Sequence, residues 1–286
     1  MKDWSEYTLA DWRRLRPLLH AYKTRTYRAV NAWYVRRKAA GAAQMVESIH
    51  SAGGSSLAVT IAYETPWIVA EQIAAVRSRL DATTLVVCDN SRSDGAAADI
   101  ARICASAGIA YLRLPRNPRK TGSRSHALGM NWAYRNIICA ARPRCFAFLD
   151  HDLIPLREVD LADLVSRQPF YGHVRTAGHR WFLWAGYCVF DGRFADRPVL
   201  DFSQDWFIGL DTGGANFRRV YHAFDRGRMS FARYSLETIA DPQTGARIEV
   251  EFVDDWLHLT NVSGWDQTRL HEPAALKRLI AVADRP

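Results

Sequence analysis

From residue 57 onward, short apolar runs alternate with segments whose apolar residues recur every three or four positions. Residues 57–62, 83–88, 109–114 and 145–149 are largely apolar runs of strand length, rich in branched and aromatic side chains. Such runs predict buried strands. Between them the spacing predicts helices: one opened by Pro66 in its first turn, one over 96–107 stopped by Gly108, and one over 125–141. Strand–helix alternation of this kind predicts an α/β domain on a mostly parallel sheet with flanking helices. Beyond Pro155 the pattern loosens. Residues 181–190 and 248–253 read as strands, 201–217 as loop, and 273–282 as helix.

The first 50 residues follow a different rule. Residues 4–50 have helical composition with Pro17 as a break, and Leu19, Tyr22, Thr26, Val30 and Trp33 recur at helical spacing. The run Ser51-Ala52-Gly53-Gly54-Ser55-Ser56 reads as a flexible linker. The expected organisation is a basic helical extension over 1–56 and a main domain over 57–286, its binding halves meeting near residue 155. No internal repeat or low-complexity tract interrupts it.

Charge sharpens this division. The chain of 286 residues carries 38 Lys/Arg and 30 Asp/Glu, a formal net of +8. Up to Ser56 there are ten Lys/Arg and four Asp/Glu, so the extension holds +6 of that net and the remainder is near neutral. A basic helix with interspersed tyrosine and tryptophan suits three roles. Its apolar stripe can pack on the main domain, it can lie on an anionic membrane surface, or it can contact nucleic acid, the least favoured of the three. A hydrophobic fraction of 48% supports a full core. No apolar run approaches the ~20 residues that span a bilayer, and residues 1–6 lack a signal-peptide core. Five cysteines without Cys-x-x-Cys spacing argue against a disulfide framework or zinc ribbon, so a cytoplasmic location is expected, with a peripheral place at the inner membrane face through the arm.

The candidate chemistry gathers at the strand ends. Ligands of open α/β sheets bind at the carboxyl edge of the strands. There the chain supplies Thr60, Ala62 and Glu64, then Asp89 and Ser91, then Asp150-His151-Asp152. Two carboxylates so placed suit a divalent cation shared with phosphate oxygens. Asp89 suits a ribose or base contact, and equally suits plain turn chemistry. His151 is expected to point away from its flanking carboxylates and to bond within the domain.

These residues resemble the nucleotide-binding half of a GT-A glycosyltransferase, nearest the family 2 inverting enzymes. The resemblance runs from about Leu57 to Pro155 and weakens toward Gly214. It rests on the first strand end with Thr60, on Asp89-Asn90-Ser91, on the helix after Gly122-Ser123-Arg124-Ser125-His126-Ala127, and on Asp150-His151-Asp152. It implies Mn²⁺ or Mg²⁺ on Asp150 and Asp152, and a nucleotide-diphosphate sugar of UDP or GDP type held by Thr60, Ala62, Glu64, Asp89, Ser91, Arg124 and Asp150. It also implies a downstream histidine, matched by His258, as a further metal ligand. The basic loop ending in Arg119-Lys120-Thr121-Gly122-Ser123-Arg124 departs from the asparagine- and glycine-rich stretch usual there. Inverting transfer to a hydroxyl-bearing glycan or lipid-linked acceptor needs a carboxylate base. Asp211 is the first candidate and Asp205 the second, although Asp211-Thr212-Gly213-Gly214 also reads as a plain turn. Trp181, Trp184 and Trp206 offer aromatic faces to a sugar, or core packing. Two rival readings stand beside this one: a nucleotidyltransferase, and a non-catalytic binding protein with a vestigial nucleotide fold.

Overall fold

The computed structural model describes residues 4–53, 56–119, 122–245, 247–259, and 278, 280, 281 and 283. Each predicted strand of the first half is present. Strands β1 (Ser56–Ala62), β2 (Thr83–Asp89), β3 (Ala110–Arg113) and β4 (Cys145–Leu149) run parallel in the order β3-β2-β1-β4. Every residue of β1 and β4 is buried, because helices cover both faces of the sheet.

Three helices precede this sheet: α1 (Leu9–Arg13), α2 (Arg16–Tyr34) and α3 (Ala42–Ala52). Three more lie within it: α4 (Pro66–Arg79), α5 (Asp94–Ala107) and α6 (Gly122–Ala133). The last continues through a π-helical stretch, Tyr134–Ile138, to Ala141. Ser93 caps α5 by accepting from the Ala96 N–H, and Gly108 ends it in a left-handed conformation.

The second half is less legible from sequence. A short β5 (Leu153–Pro155) leaves the first sheet, while β7 (Arg180–Asp191) returns to it antiparallel beside β4, with β6 (Phe170–Ala177) antiparallel to β7 at the edge. The full order is β3-β2-β1-β4-β7-β6. A second sheet of four antiparallel strands, β5-β10-β9-β8, adds β8 (Tyr234–Ala240), β9 (Arg247–Val253) and β10 (Trp256–His258). Strand β8 is mostly exposed, so it lacked the apolar signature that marks a buried strand. The predicted tail helix falls largely outside the described residues. Within it, the Arg278 guanidinium pairs with both carboxylate oxygens of Asp241, at 3.1 and 2.9 Å.

The N-terminal helices are joined to the body by specific bonds. The Tyr34 hydroxyl donates to the Pro115 carbonyl at 2.7 Å, the Trp132 indole to the Arg37 carbonyl at 2.8 Å, and the Asn136 amide to the Val35 carbonyl at 3.0 Å. Met45 and Ile49 of α3 enter the same core as β1 and α6. The residues expected as linker begin inside α3 and end in β1. The helical break falls at Leu15, which is left-handed (φ 52°), and Pro17 sits in the first turn of α2. The packing face of α2 also differs from the expected one. Of the expected stripe only Val30 packs on the body, together with His20, Tyr27 and Tyr34, while Leu19, Tyr22, Thr26 and Trp33 face solvent.

Candidate active site

The parallel register brings three strand ends to one edge. Ala62 lies beside Asp89, and Thr60 beside Leu149, so the segments after β1, β2 and β4 leave the sheet together. They border a cleft of about 430 Å³ lined by Tyr63, Asn90, His126, Asp150, Asp152 and Asp211, among others.

Asp150 and Asp152 stand in the tight turn between β4 and β5, whose Leu153 N–H donates to the Asp150 carbonyl at 3.0 Å. Gln72 of α4 holds this turn from below: its amide donates to the carbonyls of Asp150 and Leu153, the latter at 3.1 Å. The Thr60 hydroxyl donates to the Gln72 carbonyl oxygen at 3.0 Å and fixes the amide orientation. Thr60 is therefore a buried support of the turn. Because residues 150–152 leave strand geometry, strict alternation does not apply to them. His151 lines the cleft beside the carboxylates, and its Nε2 has no hydrogen-bond partner among the described residues, contrary to the expectation drawn from alternation.

His258 completes a cluster. Ligand atoms of Asp150, Asp152 and His258 all lie within 4.8 Å of one another. The His258 Nε2 is 3.4 Å from the Asp152 carboxylate, and its Nδ1 is 2.7 Å from Glu251. Glu251 also accepts from the Tyr234 hydroxyl at 2.9 Å. Burial works against a charge on His258, but hydrogen bonds to Asp152 and Glu251 outweigh it and push the imidazole up to about 10. Burial likewise works to raise the Asp152 carboxyl. The bond to His258, with the charges of His151 and His258, holds it below its usual value. Two carboxylates and one imidazole, with a second-sphere carboxylate on the far ring nitrogen, are the donor set of a divalent transition-metal site. The residues fit such an ion.

Strand β7 supplies the next wall. The β6–β7 register jumps between Gly172 and Val174, leaving β7 residues 184–187 outside the β6 ladder. Bulged segments of this kind re-aim side chains beside functional sites. The Trp184 ring lies 4.6 Å from the His258 ring, and the Arg175 guanidinium sits 5.3 Å from the Trp184 ring centre. Gly186 is required by close approach: a Cβ there would stand 2.5 Å from Asp150 Oδ2 and run into the Trp184 ring.

The other predicted residues divide by location. Asp211 lines the cleft, its carboxylate accepting from the Thr212 N–H at 2.8 Å and the Gln204 amide at 3.2 Å. The turn reading of Asp211-Thr212-Gly213-Gly214 also holds, since the Gly214 N–H donates to the Asp211 carbonyl at 2.7 Å. Asp205 lies behind it, in a bridge to Leu210 that closes the loop delivering Asp211. Asp89 is buried, accepting from the Ser91 N–H at 2.8 Å and the Tyr111 hydroxyl at 2.7 Å. Glu64 (φ 55°) accepts from the N–H groups of Arg92 and Ser93, while Ser91 Oγ accepts from the Glu64 N–H. Ala62 is buried, and its carbonyl accepts from the Asn90 N–H. These four brace the two loops, and Tyr63 and Asn90 are the residues that line the cleft there. Arg124 turns away to the Tyr27 ring, 4.7 Å from its centre.

No family model matches the chain, and no curated protein does. Solved structures are similar to it. One is the mannosyltransferase PcManGT from Pyrobaculum calidifontis, in complex with GDP-Man and Mn²⁺, at 13% identity and a TM-score of 0.38. That match covers 63% of this chain and 57% of the other, little more than half its length. Another is glucosyl-3-phosphoglycerate synthase from Mycobacterium tuberculosis, in complex with Mn²⁺, UDP and glucosyl-3-phosphoglycerate. It is 13% identical at a TM-score of 0.40, covering 65% of this chain and 72% of that one.

Sequence reasoning missed His126, whose Nε2 is 3.4 Å from Asp150 Oδ1, and missed Arg175 and Glu251. Glu251 was within reach. Val253 and Trp256 flank a two-residue Asp254-Asp255 turn, so counting outward pairs Glu251 with His258. Of the tryptophans, Trp184 lines the cleft and Trp181 is core, stacked on Tyr221 at 5.0 Å. The Trp206 side chain lies outside the described residues.

Proposed function

We propose that this protein is a metal-dependent glycosyltransferase that moves a sugar from a nucleotide-diphosphate sugar to a hydroxyl acceptor with inversion. The observation that supports it is the cluster of Asp150, Asp152 and His258 at the carboxyl edge of a parallel sheet, with Asp211 lining the same cleft. Asp150, Asp152 and His258 would hold Mn²⁺ or Mg²⁺, the imidazole favouring Mn²⁺, and the ion would supply charge neutralisation at the diphosphate leaving group. The nucleoside, of UDP or GDP type, lies against Tyr63 and Asn90, whose loops Glu64, Asp89 and Ser91 keep rigid. Asp211 takes the proton of the acceptor hydroxyl as its oxygen bonds to the anomeric carbon. The bond from that carbon to the diphosphate oxygen breaks with both electrons leaving on the nucleoside diphosphate. Trp184 presents a ring face to the transferred sugar or the acceptor.

The acceptor in this reading is a hydroxyl-bearing glycan or lipid-linked glycan, and the site of action is cytoplasmic, at the inner face of a membrane. The five cysteines, all free, agree with a reducing compartment. Among the described residues no helix is long and apolar enough to cross a membrane. A nucleotidyltransferase would use a similar cluster but would release pyrophosphate.

A thermal-shift screen of nucleoside diphosphates and nucleotide sugars, with and without Mn²⁺, tests the reading. Ligand at 100 times its Kd stabilises a protein by about 2.7 kcal/mol. The expected shift needs both Mn²⁺ and an intact Asp152, and Asp152→Asn abolishes it. Asp211→Asn keeps the shift and loses transfer. A shift indifferent to Asp152, or pyrophosphate among the products, overturns the assignment.

A further inference from the structure

Helix α2 has two faces that ask for a partner, and among the described residues only one is used. His20, Tyr27, Val30 and Tyr34 meet the body: His20 stacks on Phe207 at 3.9 Å, and Tyr34 is fully buried. On the other side, Leu18 and Leu19 are followed by Tyr22 at four and three residues and by Trp33 eleven residues on, all on one face, with Leu15 just before the helix. Thr26 and Ala29, also exposed, continue it. Its five large side chains are between 46% and 70% exposed. Trp4, Leu9 and Trp12 add exposed apolar surface just before the helix, so most of the exposed large apolar side chains among the described residues fall in this one region. Contiguous apolar surface of this kind marks an interaction site.

The charge identifies the partner. Between Asp11 and Glu47 the chain carries nine Lys/Arg and no Asp/Glu. Lys23 and Arg25 flank the stripe at its middle, both exposed, and the Arg37 guanidinium lies 5.1 Å from the Trp33 ring centre at its end. A second copy on this face, stripe to stripe, would bring two such cation belts together. An anionic bilayer answers both features: acyl chains take Leu and Trp, while phosphates take Lys and Arg. We propose that the outer face of α2 docks in the plane of an anionic lipid surface, with Leu15, Leu18, Leu19 and Tyr22 entering the headgroup boundary. The helix, 19 residues long, would lie along the surface for about 28 Å.

This docking goes beyond the catalytic reading and stands without it. Joined to that reading, it specifies the acceptor. The inner face of α2 touches two segments that frame the cleft: Phe207, in the loop leading to Asp211, and Arg124, on the helix whose first residues Gly122 and Ser123 line the cleft. A docked α2 would hold these two segments about one helix diameter from the lipid surface, a placement that suits a lipid-linked acceptor.

Flotation of the full chain with vesicles of phosphatidylcholine alone, and of phosphatidylcholine mixed with phosphatidylglycerol, tests the docking. The wild type should float with the anionic vesicles only, and less as salt rises. Leu18→Ser/Tyr22→Ser and Lys23→Glu/Arg25→Glu should each weaken flotation about tenfold or more, with unchanged melting temperatures, since all four positions are exposed. Both variants should keep the Mn²⁺-dependent nucleotide shift, and Asp152→Asn should keep flotation, so docking and donor binding can fail separately. Equal flotation of wild type and variants, equal binding to neutral vesicles, or no flotation overturns the proposal. So does a wild-type dimer that Leu18→Ser/Tyr22→Ser converts to monomer, which assigns the stripe to a second copy.

Discussion

Glu251 never reaches the cation position, yet it decides what His258 can do there. Its carboxylate, 2.7 Å from Nδ1, leaves Nε2 as the ring nitrogen turned to Asp152. The His258 hydrogen bond keeps Glu251 below its usual carboxyl value. Glu251→Gln preserves size and one hydrogen bond but removes the charge. We expect Mn²⁺ affinity, read by titration calorimetry, to fall about 10- to 100-fold with little change in melting temperature. Unchanged affinity would remove the orienting role from Glu251. Gly186 acts at the same scale by omission, because only a missing Cβ lets Trp184 and Asp150 pack against that backbone.

Among the elements, α4 carries more of the site than its sequence suggested. Its Gln72 is fully buried and joins β1, through Thr60, to the backbone of the Asp150–Leu153 turn. Gln72→Leu fills similar space but leaves one hydroxyl and two carbonyls without this partner. The Asp150 carbonyl keeps the Leu153 N–H as a donor, and a buried group left unsatisfied costs about 1–3 kcal/mol, so the variant should lose at least about 1 kcal/mol of stability. Denaturant unfolding measures it, and a loss below about 0.5 kcal/mol would show that the turn holds itself. The β9–β10 hairpin plays the matching part on the other side. Its left-handed Asp254 sets the register that faces Glu251 with His258.

At the scale of the whole molecule the site lies on the seam between two sheets. His173 of β6 stacks on Tyr234 of β8 at 4.6 Å and meets Trp184 edge-on at 6.2 Å. Burial, aided by the charges of Arg175 and His258 against an opposing Glu251, lowers the His173 imidazole to about 4. The unfolded value is near 6.5. Between the two the unfolded chain binds a proton that the folded chain does not, so this contribution is full above pH 6.5 and is lost as pH falls toward 4. His173→Phe keeps the stack and removes the titration. Its melting temperature should fall less than that of the wild type between pH 7 and pH 5; parallel curves would deny the seam its pH dependence.

The sequence by itself determined the fold of the first half of the main domain. Four apolar runs separated by helical periods dictate a parallel sheet, and its carboxyl edge necessarily gathers the segments after residues 62, 89 and 149. The strand edge marked Asp150 and Asp152, the resemblance to a known family singled out Asp211 and His258, and the structure lines one cleft with all four. Tertiary structure decided the rest, since local pattern does not say what a polar group will meet. Thr60 and Asp89 point into buried hydrogen bonds because Gln72 and Tyr111 are there to pair with them. Helix α2 offers apolar residues on both sides, and periodicity cannot say which side the body takes. The body took the side with Tyr34, whose hydroxyl finds the Pro115 carbonyl 81 residues along the chain, and left Leu18, Leu19 and Tyr22 facing outward.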